Sequence, residues 1–262
     1  SSEKKGTDTP KNTYSRRTKY GLIGVIIHEI GHIYFPMVVN SDERQWTWMD
    51  EGINSFLEYI AEFEWEENFP AYGNNANVLD YITDYMKSEN QVPIMTNSDS
   101  VLRLGPNAYS KPTAALIVLR ETVMGRELFD FAFKEYSRRW KFKRPTPSDF
   151  FRTMEDASGI DLDWFWRGWF YSTDHVDIAL TDVREYKVST TNPDIEFPLQ
   201  KDEYNSKTPE SLTQTRNREE NKELYIDRNP ELIDFYNEND RFTSSNKDKN
   251  KYTSLIDGLD EW

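Results

Sequence analysis

Apolar and polar positions fall along this chain in blocks that read as helices separated by short breaks. From Tyr20 to Phe35 the residues Leu22, Ile23, Val25, Ile26, Ile27, Ile30 and Ile33 cover most of a helical circumference. That pattern predicts a buried helix, which Pro36 ends. A second helix is predicted from about Met49 to Glu66, where Ile53, Phe56, Leu57, Ile60 and Phe63 recur at spacings of three and four. Further helices are expected over about 75–87, 110–124 and 126–140, the last two parted near Gly125. Thr146-Pro147-Ser148-Asp149 forms a helix start and Gly159 a stop. Asp161 is then expected to cap a short aromatic helix holding Trp164, Phe165, Trp166, Trp169 and Phe170. Val176, Ile178 and Leu180 alternate with polar residues, predicting a strand to about Val188.

These blocks divide the chain. Residues 1–18 read as a polar loop or linker, 19–172 as a helical unit, 173–189 as a short β segment, and 190–262 as an extended or disordered polar tail. The fold class expected is therefore mainly α. Hydrophobic residues make up only 37%, but 8 Trp, 15 Tyr and 15 Phe bury large areas each and make a core attainable. A net charge of −14 argues against nucleic acid as a partner, since phosphates need basic neutralisation. There is no cysteine, so any metal site must be built from histidine and carboxylate. No apolar run reaches the roughly 20 residues a membrane span needs; His28, Glu29, His32 and Pro36 interrupt the longest candidate.

The chemistry concentrates in His28-Glu29-Ile30-Gly31-His32. A spacing of four sets both imidazoles on one helix face, one turn apart, where they can share a tetrahedral ion. Glu29 sits about 100° around the helix from His28, placed to reach a water at the metal without being a ligand. The alternative is a buried helix whose histidines are satisfied by carbonyls, but a carboxylate in an apolar helix is costly without a cation nearby. A catalytic zinc takes three protein ligands and one open position. With His175 the only other histidine, the third ligand is expected to be a carboxylate, and Glu51 in Trp48-Met49-Asp50-Glu51-Gly52 is the best candidate.

H-E-x-x-H, then eighteen residues, then Glu in a Trp-x-x-Glu-Gly context, resembles the aminopeptidase N family of zinc metallopeptidases, the gluzincins. The resemblance covers residues 20–172 and implies the helical lobe of a thermolysin-like zincin catalytic domain. It implies one zinc ion held by His28, His32 and Glu51, with Glu29 as general base, hydrolysing a peptide or protein substrate. Tyr109, in Tyr109-Ser110-Lys111-Pro112, matches the family's Tyr-x-Lys-x pattern and would donate to the oxyanion. The family's Gly-x-Met-Glu-Asn segment, which grips the substrate amine, does not occur in residues 1–27. The expectation is that this segment belongs to an upstream β-lobe missing here, leaving the isolated chain weakly active or inactive. Relatives are often exported, and only that likeness bears on compartment.

Two departures mark a divergent branch: Met49-Asp50-Glu51-Gly52 where the family has Leu-Asn-Glu-Gly, and Ile33-Tyr34-Phe35-Pro36-Met37 where it has Gln-Trp-Phe-Gly-Asn. Three other readings stay open. A thermolysin-like endopeptidase would share the zinc core without the amine grip. A non-catalytic, metal-stabilised interaction module would hold zinc without hydrolysis, and a helical scaffold would hold none. Asp50 is read either as a helix cap or as an acceptor for a ligand histidine. The Trp164–Tyr171 cluster is read as core rather than a ligand platform.

Overall fold

Several of the helices begin where a side chain accepts from a first-turn amide. The structure is a computed structural model and describes residues 14–71, 77–174 and 189–258. Helix α1 spans Arg16–Gly31, starting four residues before the apolar run because Ser15 Oγ accepts from the Thr18 amide at 3.1 Å. The linker expected over 1–18 therefore ends by Ser15 among the described residues. A π-helical turn, Trp48–Gly52, leads into α2, Ile53–Trp65. Two short turns follow, α3 (Val78–Tyr81) and α4 (Thr83–Met86). A second π-helical turn, Gly105–Ser110, opens α5 (Lys111–Val118), and α6 spans Arg126–Trp140. Helix α7, Pro147–Ser158, is started by Asp149, whose carboxylate accepts from the Thr146 amide at 2.8 Å, and is closed by Gly159 at φ 69°. Asp161 accepts from the Asp163 amide just ahead of α8, Asp163–Trp166.

The polar end of the chain differs from the expected extended tail. It carries α9 (Pro193–Lys207), α10 (Leu212–Glu219), α11 (Tyr225–Arg228), α12 (Phe235–Glu238) and α13 (Asn246–Asp257). The reason is local: Asn192, Ser211, Asp234 and Ser245 each accept from a first-turn amide, so capping starts helices that hydropathy does not announce. The β segment expected over 173–189, with His175, falls on residues that lie outside those described, apart from its ends. No strand occurs among the described residues.

The chain divides into two units. The smaller draws on the described residues within Ser1–Lys19, Asp177–Glu210 and Ile226–Trp262 and is joined by polar contacts, such as Lys19 to Asp234 at 2.9 Å and Lys249 to Asp194 at 3.1 Å. The larger takes in those within Tyr20–Val176 and Ser211–Tyr225 and has an aromatic core. Trp48 lies 4.8 Å from Phe170 and stacks on Phe151, which in turn lies 4.6 Å from Trp166 (centroid to centroid). Tyr136 of α6 meets Phe150 of α7 edge-on at 4.8 Å. Each such ring contributes on the order of 2–3 kcal/mol by leaving water. Because Trp48 begins the π-helical turn, the core anchors the backbone that presents Glu51.

Two findings in the larger unit run against the hydropathy pattern. Helix α1 is not buried all round: Tyr20 and Gly24 are covered, whereas Leu22, Val25, Ile26 and Ile30 stand 48–60% exposed. The faces of α1 diverge because α2 covers one side only. Helix α10 is almost wholly polar yet docks through hydrogen bonds. Gln214 donates to the Glu67 carbonyl, Asn217 to the Phe63 carbonyl, and Thr213 to the buried Glu121 carboxylate, which also receives Arg126 at 2.8 Å. No described helix is long and apolar enough to cross a membrane.

Candidate metal centre

Two helices and two π-helical turns converge on one point. On α1, His28 and His32 come off the same face, their rings edge to face at 4.6 Å. The approach of α2 is set by Gly31, where a Cβ would stand 2.0 Å from Asn54 Oδ1. Asn54 is fully buried and donates to the His28 carbonyl at 2.8 Å, tying the two helices at the site.

The donor atoms form a near-equilateral triangle. His28 Nε2 to His32 Nε2 is 3.1 Å, His28 Nε2 to Glu51 Oε2 is 3.2 Å, and His32 Nε2 to Glu51 Oε2 is 3.3 Å. Ligands about 2.0–2.1 Å from a tetrahedral zinc stand roughly 3.3–3.4 Å from one another, so the triangle fits such an ion and leaves the fourth corner open. Two imidazoles and one carboxylate are also the donor set of hydrolytic zinc sites.

The outer ring nitrogens are held as well. His28 Nδ1 faces Glu58 Oε2 at 2.9 Å, and His32 Nδ1 donates to the Phe35 carbonyl at 2.9 Å. These contacts fix the tautomer that turns each Nε2 lone pair towards the shared point. Asp50 Oδ1 also lies 3.1 Å from His32 Nδ1, though without hydrogen-bond alignment. No amide is capped by Asp50 among the described residues, and its place beside His32 is the geometry observed for it. Sequence reading missed Glu58; its place seven residues beyond Glu51, about two turns along the helix expected from Met49 to Glu66, was the available signal.

Electrostatics follow from this crowding of acids. Hydrogen bonds that His28 donates to Glu51 and Glu58 hold its imidazolium up to about 10 in the metal-free chain. Burial, with the neighbouring Glu51 charge, pushes Asp50 up to about 7. Burial alone would raise Glu51 too, but hydrogen bonds from His28 and Tyr109 hold it below its ordinary value. A cluster in which acids hold a proton between them is one that a divalent cation can neutralise instead.

Tyr109 reaches the same point from the second π-helical turn, its ring stacked on His28 at 6.1 Å. Gly52 permits the contact: a Cβ there would stand 2.7 Å from the Ala108 carbonyl and from Pro112 Cβ. The glycine after Glu51 is therefore what lets the Tyr109 turn press against the Glu51 turn. Burial and the Glu51 hydrogen bond raise Tyr109 well above its usual range, keeping it a donor at neutral pH. Glu29 is exposed and shares a cleft with His28 and Tyr109. His28, His32 and Glu51 thus converge, Tyr109 adjoins them, and Glu29 lines the cleft that His28 and Tyr109 also border. A second carboxylate group, Glu155, Asp161 and Asp163, also converges. It has no histidine, and its oxygens accept from the Leu162 and Asp163 amides.

Residues 7–169 match the family described as Peptidase family M1 domain. The chain is similar to glutamyl aminopeptidase of Bos taurus, 24% identical over 148 residues, which are 55% of this chain and 16% of that protein. It is similar to alanine/arginine aminopeptidase of Saccharomyces cerevisiae, 25% identical over 175 residues, 64% of this chain and 20% of that protein. Aminopeptidase N of Streptomyces lividans is 24% identical over 153 residues, 55% of this chain and 18% of that protein. The chain spans no more than about a fifth of the length of these curated relatives.

Proposed function

Because the chain belongs to peptidase family M1, we propose that it supplies the zinc-binding helical lobe of an aminopeptidase-type metallopeptidase. The observation that carries this reading is the triangle of His28, His32 and Glu51 with sides of 3.1–3.3 Å, flanked by an exposed carboxylate at Glu29 and a hydroxyl at Tyr109. His28, His32 and Glu51 would hold one zinc ion. Zinc at such a site polarises a carbonyl and brings the pKa of water towards neutrality. Glu29 takes the proton from the attacking water and hands it to the leaving amine. Tyr109 donates to the oxygen that gains charge, a contact worth about 3–4 kcal/mol of barrier when made only in the transition state. Glu58 and the Phe35 carbonyl keep both imidazoles aimed throughout.

In the same proposal, the exposed apolar side of α1 is the seat of the upstream β-lobe, which would bring the amine-gripping carboxylate. Exposed apolar surface of this extent marks an interaction site rather than a solvated one.

The test is Glu29→Gln in the complete protein, assayed on an aminoacyl substrate with a free amine and on its N-blocked counterpart. The expected result is one zinc per chain by elemental analysis, turnover lost, and the free-amine substrate favoured by the parent. Near-normal hydrolysis by Glu29→Gln, or a protein without zinc, would sink the proposal.

A further inference from the structure

Beside Glu29, a cleft of about 350 Å3 opens against α1 and α2, lined by Val25, Ser55, Tyr59, Glu58 and Glu62 as well as by Glu29 itself. The zinc chemistry does not use its far end. There Glu62 is only 6% exposed, and no hydrogen bond or ion pair reaches its carboxyl among the described residues. Burial and the nearby Glu58 charge push it up to about 9. An isolated buried carboxyl costs several kcal/mol unless a partner arrives.

The opposite wall is Gly24 of α1. A Cβ there would stand 2.9 Å from Glu62 Oε1 and 3.5 Å from Glu58 Oε1. The missing side chain therefore leaves two carboxyl groups facing one small space. Two carboxylates make a poor cage for a metal, which would want further ligands. They suit an organic cation, and the cleft is larger than an ammonium alone requires. Val25 and the Tyr59 ring offer an apolar wall for an aliphatic stem, as lysine and arginine side chains prefer.

We infer that this cleft is a substrate subsite for a basic side chain, lysine or arginine, beside the scissile bond, with Glu62 as its specificity-determining carboxylate. The inference deepens the peptidase reading and rests on it for the word substrate. Glu58 serves both sites, one oxygen towards His28 and the other towards the cleft, so a cation bound there also faces the residue that aims a metal ligand.

The experiment is calorimetric titration of the zinc-reconstituted chain with L-lysinamide and L-norleucinamide. These share an α-amine and a four-carbon stem and differ in the terminal ammonium. Lysinamide is expected to bind about tenfold or more tightly, the least that one desolvated charge pair contributes. Glu62→Gln should bring the two within about twofold of each other, with zinc content and circular dichroism unchanged. Gly24→Ala fills the space from the other wall and should weaken lysinamide similarly, which keeps the test decisive if Glu62→Gln fails to fold. Equal binding of the two amides, survival of the preference in both variants, or no lysinamide binding at millimolar concentration overturns the inference. Equal binding that Glu62→Gln abolishes would mean that the carboxyl takes the α-amine, and also overturns it. Zinc measured in the same samples separates the two readings: a lysinamide preference without zinc removes the peptidase, and zinc without the preference removes the subsite.

Discussion

Replacing Gly31 by alanine sets helix propensity against packing at the metal centre. Propensity alone favours the change, since alanine in a helix is better than glycine by up to about 1 kcal/mol, and less at the last helical residue. Packing opposes it. The new Cβ would stand 2.0 Å from Asn54 Oδ1 and 3.0 Å from its Cγ, and Asn54 is fully buried. Either α1 and α2 part, or Asn54 turns away and gives up its 2.8 Å bond to the His28 carbonyl. Overpacking costs about 1–3 kcal/mol on the first route, and a broken buried hydrogen bond about 1–3 kcal/mol on the second. The net expectation is a chain destabilised by roughly 1–3 kcal/mol, read by urea unfolding of the metal-free protein followed through tryptophan fluorescence. Because His28 and His32 bracket Gly31, parting the helices also opens the donor triangle, and zinc affinity should fall about tenfold or more in chelator competition. Adding Asn54→Ala makes room for the methyl group and should recover much of the loss, a coupling of about 1–3 kcal/mol between the sites. If Gly31→Ala were as stable as the parent or more so, the close approach that holds Glu51 to the two histidines would be wrong.

Glu58→Gln keeps the shape of the side chain but removes the charge behind His28, so zinc affinity should drop about 10–100-fold in chelator competition; a change within twofold would exclude the orienting role. In the metal-free chain the raised His28 value, about 10, means the ring is protonated throughout the neutral range and zinc must displace that proton. Apparent zinc affinity should therefore climb about tenfold per pH unit from about 7 and flatten near 10, and a flat profile between about 7 and 9 would refute the proton count. Tyr109→Phe in the complete protein should retain zinc while kcat falls about 10²–10³-fold; near-normal kcat would remove the tyrosine from the oxyanion's surroundings.

The two candidate histidine ligands and the candidate base are legible in the amino-acid sequence because their geometry is local. Residues 28 and 32 share a helix face whatever surrounds them, and Pro36 ends the helix by backbone sterics alone. Periodicity likewise places α2, α5 and α6, start and stop residues place α7 and α8, and the mainly α character follows from them. Glu51 needs more: eighteen intervening residues allow the approach without enforcing it, and the resemblance to a known family carries the assignment.

What local pattern could not reach was decided between segments distant in sequence. Glu58 is one more solvent-side acid on α2 until α1 crosses at Gly31 and turns His28 towards it. Glu62 reads as an ordinary polar position, yet Gly24 lets the helices close over it. Helix α10 carries no apolar stripe, so hydropathy leaves it in a tail, whereas its Thr213, Gln214 and Asn217 dock by hydrogen bonds whose partners lie some 90 to 150 residues away. The apolar surround of α1 erred in the opposite direction, because a run of isoleucines records that a face must be covered and not what covers it. Periodicity reports burial along one element; pairing of polar groups across elements depends on which backbones can approach, and at this site that approach was set by glycines at positions 24, 31 and 52.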